Sequence, residues 1–339
     1  MPPRRRIQIV TARPAPEPRS QRIASRATTI AAIGALLVSG IGIIFTARSV
    51  DVAAESAAAN REQVNLLRQG QIADRFARAV DQLGSDEINV RFGAIYSLER
   101  LARESTADRD AILQVLTGFI REKTRMKDTA WPPLPTSRQE PTVPPLDSDI
   151  QMALTVLGRR DAPDETGHLI NLSETNLRGA DLVGLNFDKA DFSRASLFGA
   201  KLGKGHFEGT DFISTDLAWL SASEAYFRDA LFMDARLYHS HLTKSDLTSA
   251  ALWKADLAYS TMIEGQLTEA DFHGAKLSNV FVREVDLSTA FFWGADLRSA
   301  RFEANLHTDT ADFTCALVAG SRGLPPDAGL PPATGRPCP

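Results

Sequence analysis

The residues able to do chemistry are few, and their spacing argues against most of it. His239 and His241 form a His-x-His pair, a spacing that can bring two imidazoles to one metal ion. The chain around them turns a corner every five residues, so the two rings point to different sides and a third ligand has no position. Two solvated histidines are the expected reading. A series of acids, Asp181, Asp191, Asp211, Asp216, Asp246, Asp256, Asp271, Asp286 and Asp296, each precedes a large apolar residue. Their spacing spreads them over all sides of a coil, which suits turn-capping hydrogen bonds better than a shared acidic site. Fingerprints for a nucleophilic serine, a phosphate loop, a zinc peptidase or a dinucleotide are missing from the sequence. The two cysteines form no metal-binding spacing. Cys315 is expected to face outward and Cys338 to lie in a tail, so a bridge between them requires an extracytoplasmic end. The residues therefore nominate no catalytic, cofactor-binding or metal-binding site, and the chain reads as a non-enzyme.

Those residues sit on a five-residue period. Reading every fifth position from Leu172 to Phe302 gives 27 sites, of which 26 are Leu, Phe, Met or Val and one is Ala222. Two residues before each lies a second set, Ile170 to Ala300, of which 22 are Ala, Gly, Ser or Thr. A period of five fits neither a helix nor a strand. It fits a coil turning about a square, with the large residue and the small one two before it pointing inward and the other three facing water. If four units make a turn, residues twenty apart stack. Column two (Leu177, Leu197, Leu217, Leu237, Leu257, Leu277, Leu297) is then leucine throughout, and eight of the nine core Phe fall in columns one (Leu172 to Phe292) and four (Phe187 to Leu287). Such sorting supports a twenty-residue turn, and seven turns at about 4.8 Å make a rod near 35 Å. The phase slips at Asn305-Leu306-His307 and resumes one residue late at Ala311-Asp312-Phe313.

Units such as Ala180-Asp181-Leu182, Ala190-Asp191-Phe192, Ala255-Asp256-Leu257, Ala270-Asp271-Phe272 and Ala295-Asp296-Leu297 resemble the A(D/N)LxX motif of pentapeptide-repeat proteins. The resemblance implies a mainly β fold, a right-handed quadrilateral β-helix over 169–319. The segments 71–85 and 91–100, with 149–159, resemble a helical region found before such repeats in membrane-linked bacterial members; that resemblance implies no chemistry.

The remaining chain is unlike the repeat. Residues 1–50 carry eight Arg against one Glu, whereas 169–320 carry 13 basic and 21 acidic residues; the whole chain nets −4, which speaks against direct nucleic-acid binding. Residues 1–26, rich in Pro and Arg, read as a disordered basic tail. Residues 27–47 hold no charge. As a helix they would span about 30 Å, the thickness of a bilayer core, so an uncleaved single transmembrane helix is favoured over a signal peptide or a buried helix. Arg crowding before the span predicts a cytoplasmic N-terminus. Arginines after it leave the side of the repeat domain open. Ala31, Ala35 and Ser39 would let two spans pair as a homodimer, and they suit lipid contact equally. A small helical region follows at 51–125, with stripes at Val64, Leu67, Ile72, Phe76, Val80 and Leu83, at Val90 to Leu101, and at Ile112 to Ile120. A Pro-rich linker covers 126–147, a capping helix 148–158, and a disordered tail 320–339.

One outward pattern suggests a partner. After column one come Ile213, Met233, Trp253, His273 and Trp293, twenty apart, with Leu231 and Phe291 beside them; next door lie Phe198, Trp219, Tyr238 and Tyr259. Aromatics stacked on a wet side are costly unless covered. The cover is either an unidentified protein partner or the chain's own linker and helices. The resulting functional reading is a membrane-tethered scaffold for protein–protein contacts. The alternative, which the family resemblance raises, is a DNA-mimic modulator of a topoisomerase.

Overall fold

A computed structural model describes residues 19–126, 141–159, 170–330 and 338. The chain divides into two compact units, Met1–Gln71 and Ile72–Pro339. One helix, α1 (Arg19–Leu83), runs from the first into the second. It begins directly after Pro18, and no proline follows until Pro132, so nothing interrupts its hydrogen-bond ladder. Two expectations are corrected here. Residues 19–26 are helical rather than disordered (1–18 lie outside the described residues), and no break separates 27–47 from the helix after it. Among the described residues no helix is long and apolar enough to cross a membrane. The expected span at 27–47 has helical backbone, but apart from Gly34, Ala35, Leu36 and Ser39 its side chains lie outside the described residues. Val64 and Leu67, expected on a packed stripe, are exposed. They belong to the first unit, where α1 is the sole described element and gives them nothing to pack on.

In the second unit the end of α1 packs with α2 (Ile88–Glu104), α3 (Arg109–Thr124) and α4 (Ser148–Gly158). Ala94, Ile95, Leu98, Leu101, Ile112, Leu116 and Ile120 are buried, while Val90, at the start of the α2 stripe, stays exposed. The buried set is continuous with Ile150, Leu154 and Leu157 of α4 and with the repeat core, so helices and rod share one hydrophobic interior. An ion pair fixes α2 to α4. Arg91 Nε meets Asp149 Oδ2 at 2.6 Å, with the two side chains 14% and 4% exposed. Arg91 also donates to the carbonyls of Ser85 and Asp86 at 2.9 Å, and Asp149 accepts from the Ile150 N–H at 3.0 Å.

The repeat is a coil of parallel ladders. Asn171 pairs with Asp191, Asn176 with Ser196, Asp181 with Lys201 and Asn186 with His206, so four ladders complete each twenty-residue turn. Four short strands stand out on one side: β1 (His241–Thr243), β2 (Thr261–Ile263), β3 (Phe281–Arg283) and β4 (Arg301–Glu303), parallel and in that order. Every fifth residue from Leu172 to Phe302 is buried, Ala222 included. Phenylalanines twenty apart stack face to face, Phe212 on Phe232 at 5.0 Å and Phe272 on Phe292 at 4.8 Å, and rings of neighbouring columns meet edge-on. Each corner is a turn whose third residue has φ near +60°, as at Lys189 and Trp219. The cost of that conformation for a non-glycine is offset by the closing bond, such as Ala190 N–H to Phe187 O at 3.0 Å. The acids before core residues do cap turns: Asp191, Asp211 and Asp271 accept from the amides of Ser193, Ile213 and His273 at 2.8, 2.8 and 3.0 Å.

The phase slip is a local event. Asp286 pairs with Leu306, twenty apart, but Phe291 pairs with Asp312 and Arg301 with Arg322, twenty-one apart. The extra residue is taken up in the turn His307–Thr310, closed by a Thr310 N–H to His307 O bond of 3.1 Å. Asn305 replaces missing backbone partners there, accepting from Val285 N–H at 2.9 Å and donating to Val282 O at 3.1 Å.

Both ends of the rod are covered. At the first turn Asn176 N–H donates to Thr124 O and Met126 N–H to Glu174 O; on the next side but one Asn186 N–H donates to Gly158 O. Between them the Gln151 side-chain amide takes the place of a whole rung, donating to Asp181 O at 2.7 Å and accepting from Asp181 N–H at 2.9 Å. Such edges otherwise template association with other strands. At the far end the expectation of a disordered tail is corrected over 320–330: Cys315 N–H donates to Leu330 O and Gly329 N–H to Phe313 O, both at 3.0 Å. Cys315 is buried rather than outward-facing and is disulfide-bonded to Cys338. The reason is shared: the last turn needs edge partners, and the tail supplies them.

Candidate functional site: the aromatic sides of the rod

The sides are numbered from the column each carries, so the first side has core residues Leu172 to Phe292 and the second Leu177 to Leu297. The two aromatic groups expected to form one surface differ in their cover. On the second side Phe198 is 5% and Trp219 7% exposed, and with Ala218 they pack against Val143 and Tyr238. Val143 comes from residues 141–146, which run across this side. It sits over a notch made by two glycines: a Cβ on Gly199 would lie 2.6 Å from Val143 Cγ2, and one on Gly179 would lie 2.9 Å from Pro144 O. Arg178 lies over the Phe198 ring, its guanidinium carbon 4.0 Å from the ring centroid. Past the notch the rings form a ladder, Trp219 on His239 at 4.3 Å and His239 on Tyr259 at 5.2 Å, with Tyr238 edge-on to His239 at 4.6 Å. His239 is therefore a stacked, half-buried ring and not a solvated one. His241 is exposed, and among the described residues no three His, Cys, Asp or Glu side chains are placed to hold a metal ion.

The first side is open. Trp253 is 48% and Phe291 44% exposed, and His273 lies tilted against Trp293 with ring centroids 4.3 Å apart. Ile213, Met233 and Trp293 are half-buried against their rung neighbours. The period alone could not separate the two groups, because both occupy outward positions. Glycines do not separate them either, because pairs twenty apart stand at the same turn position on both sides, Gly179 and Gly199 on the second and Gly274 and Gly294 on the first.

Part of the charge on the rod is paired from turn to turn. On the second side Asp216, Arg236, Asp256, Lys276 and Asp296 alternate in sign, twenty apart, with Arg236 Nε 4.0 Å from Asp216 and Lys276 Nζ 3.7 Å from Asp256. Elsewhere Arg194 pairs with Glu174 at 2.8 Å, Lys244 with Glu264 at 3.4 Å and Lys204 with Glu224 at 3.9 Å. Two acids of the rod are raised above their ordinary range. Burial pushes the Asp216 carboxyl up, against the pull of Arg236. Burial also raises Asp211, with Asp191 on the adjacent rung adding to the effect against the Ile213 amide bond.

Residues 170–209, 190–229, 210–248 and 266–303 match the family model for pentapeptide repeats, in eight copies. The matched residues are thus pentapeptide repeats, and the implied β-helix agrees with the parallel ladders of the rod. Among solved structures the chain is similar to HetL, a pentapeptide repeat protein involved in heterocyst differentiation regulation from the cyanobacterium Nostoc sp. strain PCC 7120, at 28% identity over 44% of this chain and 69% of that one, TM-score 0.35. It is also similar to full-length QnrB1, a plasmid-mediated fluoroquinolone resistance protein, at 20% identity over 44% and 90%, TM-score 0.25. A pentapeptide repeat protein of the Arabidopsis thaliana thylakoid lumen matches at 18% identity over 38% and 68%, TM-score 0.14. Similarities of this extent assign no activity to this chain. No curated protein sequence matches it.

Proposed function

We propose that this chain is a non-enzymatic interaction scaffold, tethered to a membrane through residues 27–47, whose rod presents its first side to a protein partner. The observation that carries the reading is the contrast between the sides. The chain covers Phe198 and Trp219 with its own Val143, but leaves Trp253 and Phe291 nearly half exposed. Exposed rings of that size on a rigid surface are typical anchors of protein interfaces. Two features support an extracytoplasmic rod: the arginines before residue 27, which favour a cytoplasmic N-terminus, and the Cys315–Cys338 bridge, which persists in oxidising compartments. The topoisomerase-mimic alternative is the weaker reading, because acids paired with bases on successive turns do not present the continuous negative track of a duplex.

The test is site-specific photocrosslinking of the full chain in its native membrane. A crosslinker at position 253 or 291 should give the same adduct, and one at position 244 on the third side should not. Trp253→Ser with Trp293→Ser should remove the adduct while the β signal in circular dichroism is kept. Equal adducts from position 244, or loss of the β signal in the double variant, would overturn the assignment of the first side.

A further inference from the structure

We propose that the corner between the second and third sides, at the C-terminal end of the rod, is a binding site for an extended acidic peptide. A cavity of about 490 Å³ runs along this corner. It is lined in rung order by Tyr259, Asn279, Ser299 and Gly320 from the second side, and by Phe281, Arg301 and Arg322 from the third. From the His239 rung to the Gly320 rung is four steps of about 4.8 Å, or roughly 19 Å, which an extended chain of about six residues fills. The floor changes character along that length. The rings of the His239–Tyr259 stack stand at one end, Phe281 and the Asn279 amide share the middle rung, and the guanidiniums of Arg301 and Arg322 occupy the last two rungs.

The guanidiniums are the unusual element. Arg301 and Arg322 are exposed partners on adjacent rungs of one ladder. Like charges opposite each other in a sheet are unfavourable. Elsewhere on the rod Lys204, Lys244, Lys276, Arg194 and Arg236 each have an acid one rung away. Neither Arg301 nor Arg322 has a carboxylate within ion-pair distance among the described residues, and Glu284 nearby is held by Arg283 at 3.5 Å. The Gly320 N–H, on the last rung, has no backbone acceptor among the described residues. Two forked cationic donors and an unfilled N–H at the end of a groove are what carboxylates bind. The ring-lined end suits an aromatic or proline residue of the same peptide.

The test uses the full-length protein and a fluorescent hexapeptide, Tyr-Pro-Ala-Glu-Glu-Glu, read by anisotropy. Arg301→Glu with Arg322→Glu should weaken binding by about tenfold or more. Lys204→Glu with Lys244→Glu makes the same change of charge on the third side without touching the cavity, and should leave binding within about twofold. The Gln-Gln-Gln version of the peptide should bind at least about tenfold more weakly. Inorganic phosphate should compete only at far higher concentration than the peptide. Circular dichroism of both double variants should keep the native β signal. The proposal is overturned if both double variants weaken binding equally, if the Gln peptide binds as well, if phosphate competes as effectively as the peptide, or if the folded wild-type protein shows no binding up to about 1 mM.

Discussion

Gln151 offers the most direct test of how the rod begins. Its amide makes both hydrogen bonds that a preceding rung would make to Asp181, at 2.7 and 2.9 Å. The site is partly wet, so each bond contributes about 0.5–1.5 kcal/mol, and Gln151→Ala should lower the local opening free energy at Asp181 by about 1–2 kcal/mol. The exchange rate of the Asp181 amide should then rise by about 5- to 30-fold. The amides of Asn186 and Asn176, which donate to Gly158 and Thr124, should change little. Gln151→Glu adds a titratable control. Its carboxylate can accept from Asp181 N–H but sets an anion against Asp181 O, so its folded-state pKa should lie above the ordinary carboxylate value. The protonated form can donate to Asp181 O, so the variant should regain protection as pH falls through that raised value and lose it as pH rises. Hydrogen exchange read by NMR or by mass spectrometry of short peptides would report all three proteins. If Asp181 exchanges at the wild-type rate in Gln151→Ala, or if Gln151→Glu shows no pH dependence, the side chain is not acting as the missing rung.

Arg91→Met strands the buried Asp149 charge and should cost about 3–5 kcal/mol, most of it recovered by adding Asp149→Asn, as read by calorimetry. Asp216→Asn should raise the thermal midpoint at neutral pH. The reasoning is that burial raises the folded carboxyl above its unfolded value, so the folded state gains stability as pH falls through that window and loses it as pH rises. The variant should lack this gain, and an unchanged pH profile would contradict it. Cys315→Ser opens a closed loop of 23 residues in sequence and should cost about 3 kcal/mol in the oxidised protein. In intact cells, maleimide labelling of Cys315 and Cys338 only after reduction would support the extracytoplasmic rod, and labelling without reductant would reject it.

Most of the rod was legible because its signal is strictly local. The five-residue period, the sorting of Phe into two columns and the slip at His307 all follow from which residues can point inward. Contacts made from far away in sequence were not legible. Phe198 and Trp219 occupy outward positions by the period, and Val143 arriving from the distant 141–146 segment adds to the cover of Tyr238 and Arg178 that buries them. Gln151 lies on a helix by pattern, with nothing to say that its amide would complete a sheet. The Arg301–Arg322 stack was hidden by the slip, which shifts the spacing between them from twenty to twenty-one. The long α1 was misjudged for a different reason. Charge changes at Arg48 and Asp51 suggested a boundary, yet neither residue breaks a helix.

The ladders have a mechanical consequence for a rod held at one end. Each turn is bonded only to the turns beside it, and the strands lie across the direction in which neighbours are stacked. A pull along the stack would therefore open one turn at a time. Each released turn of twenty residues could extend to about 66–72 Å from a rise of about 4.8 Å. Such a rod would yield in steps and lengthen many-fold before its last turn, pinned by Cys338, gave way. A scaffold of this kind would hold its partner at a fixed distance under small loads and pay out slack under large ones.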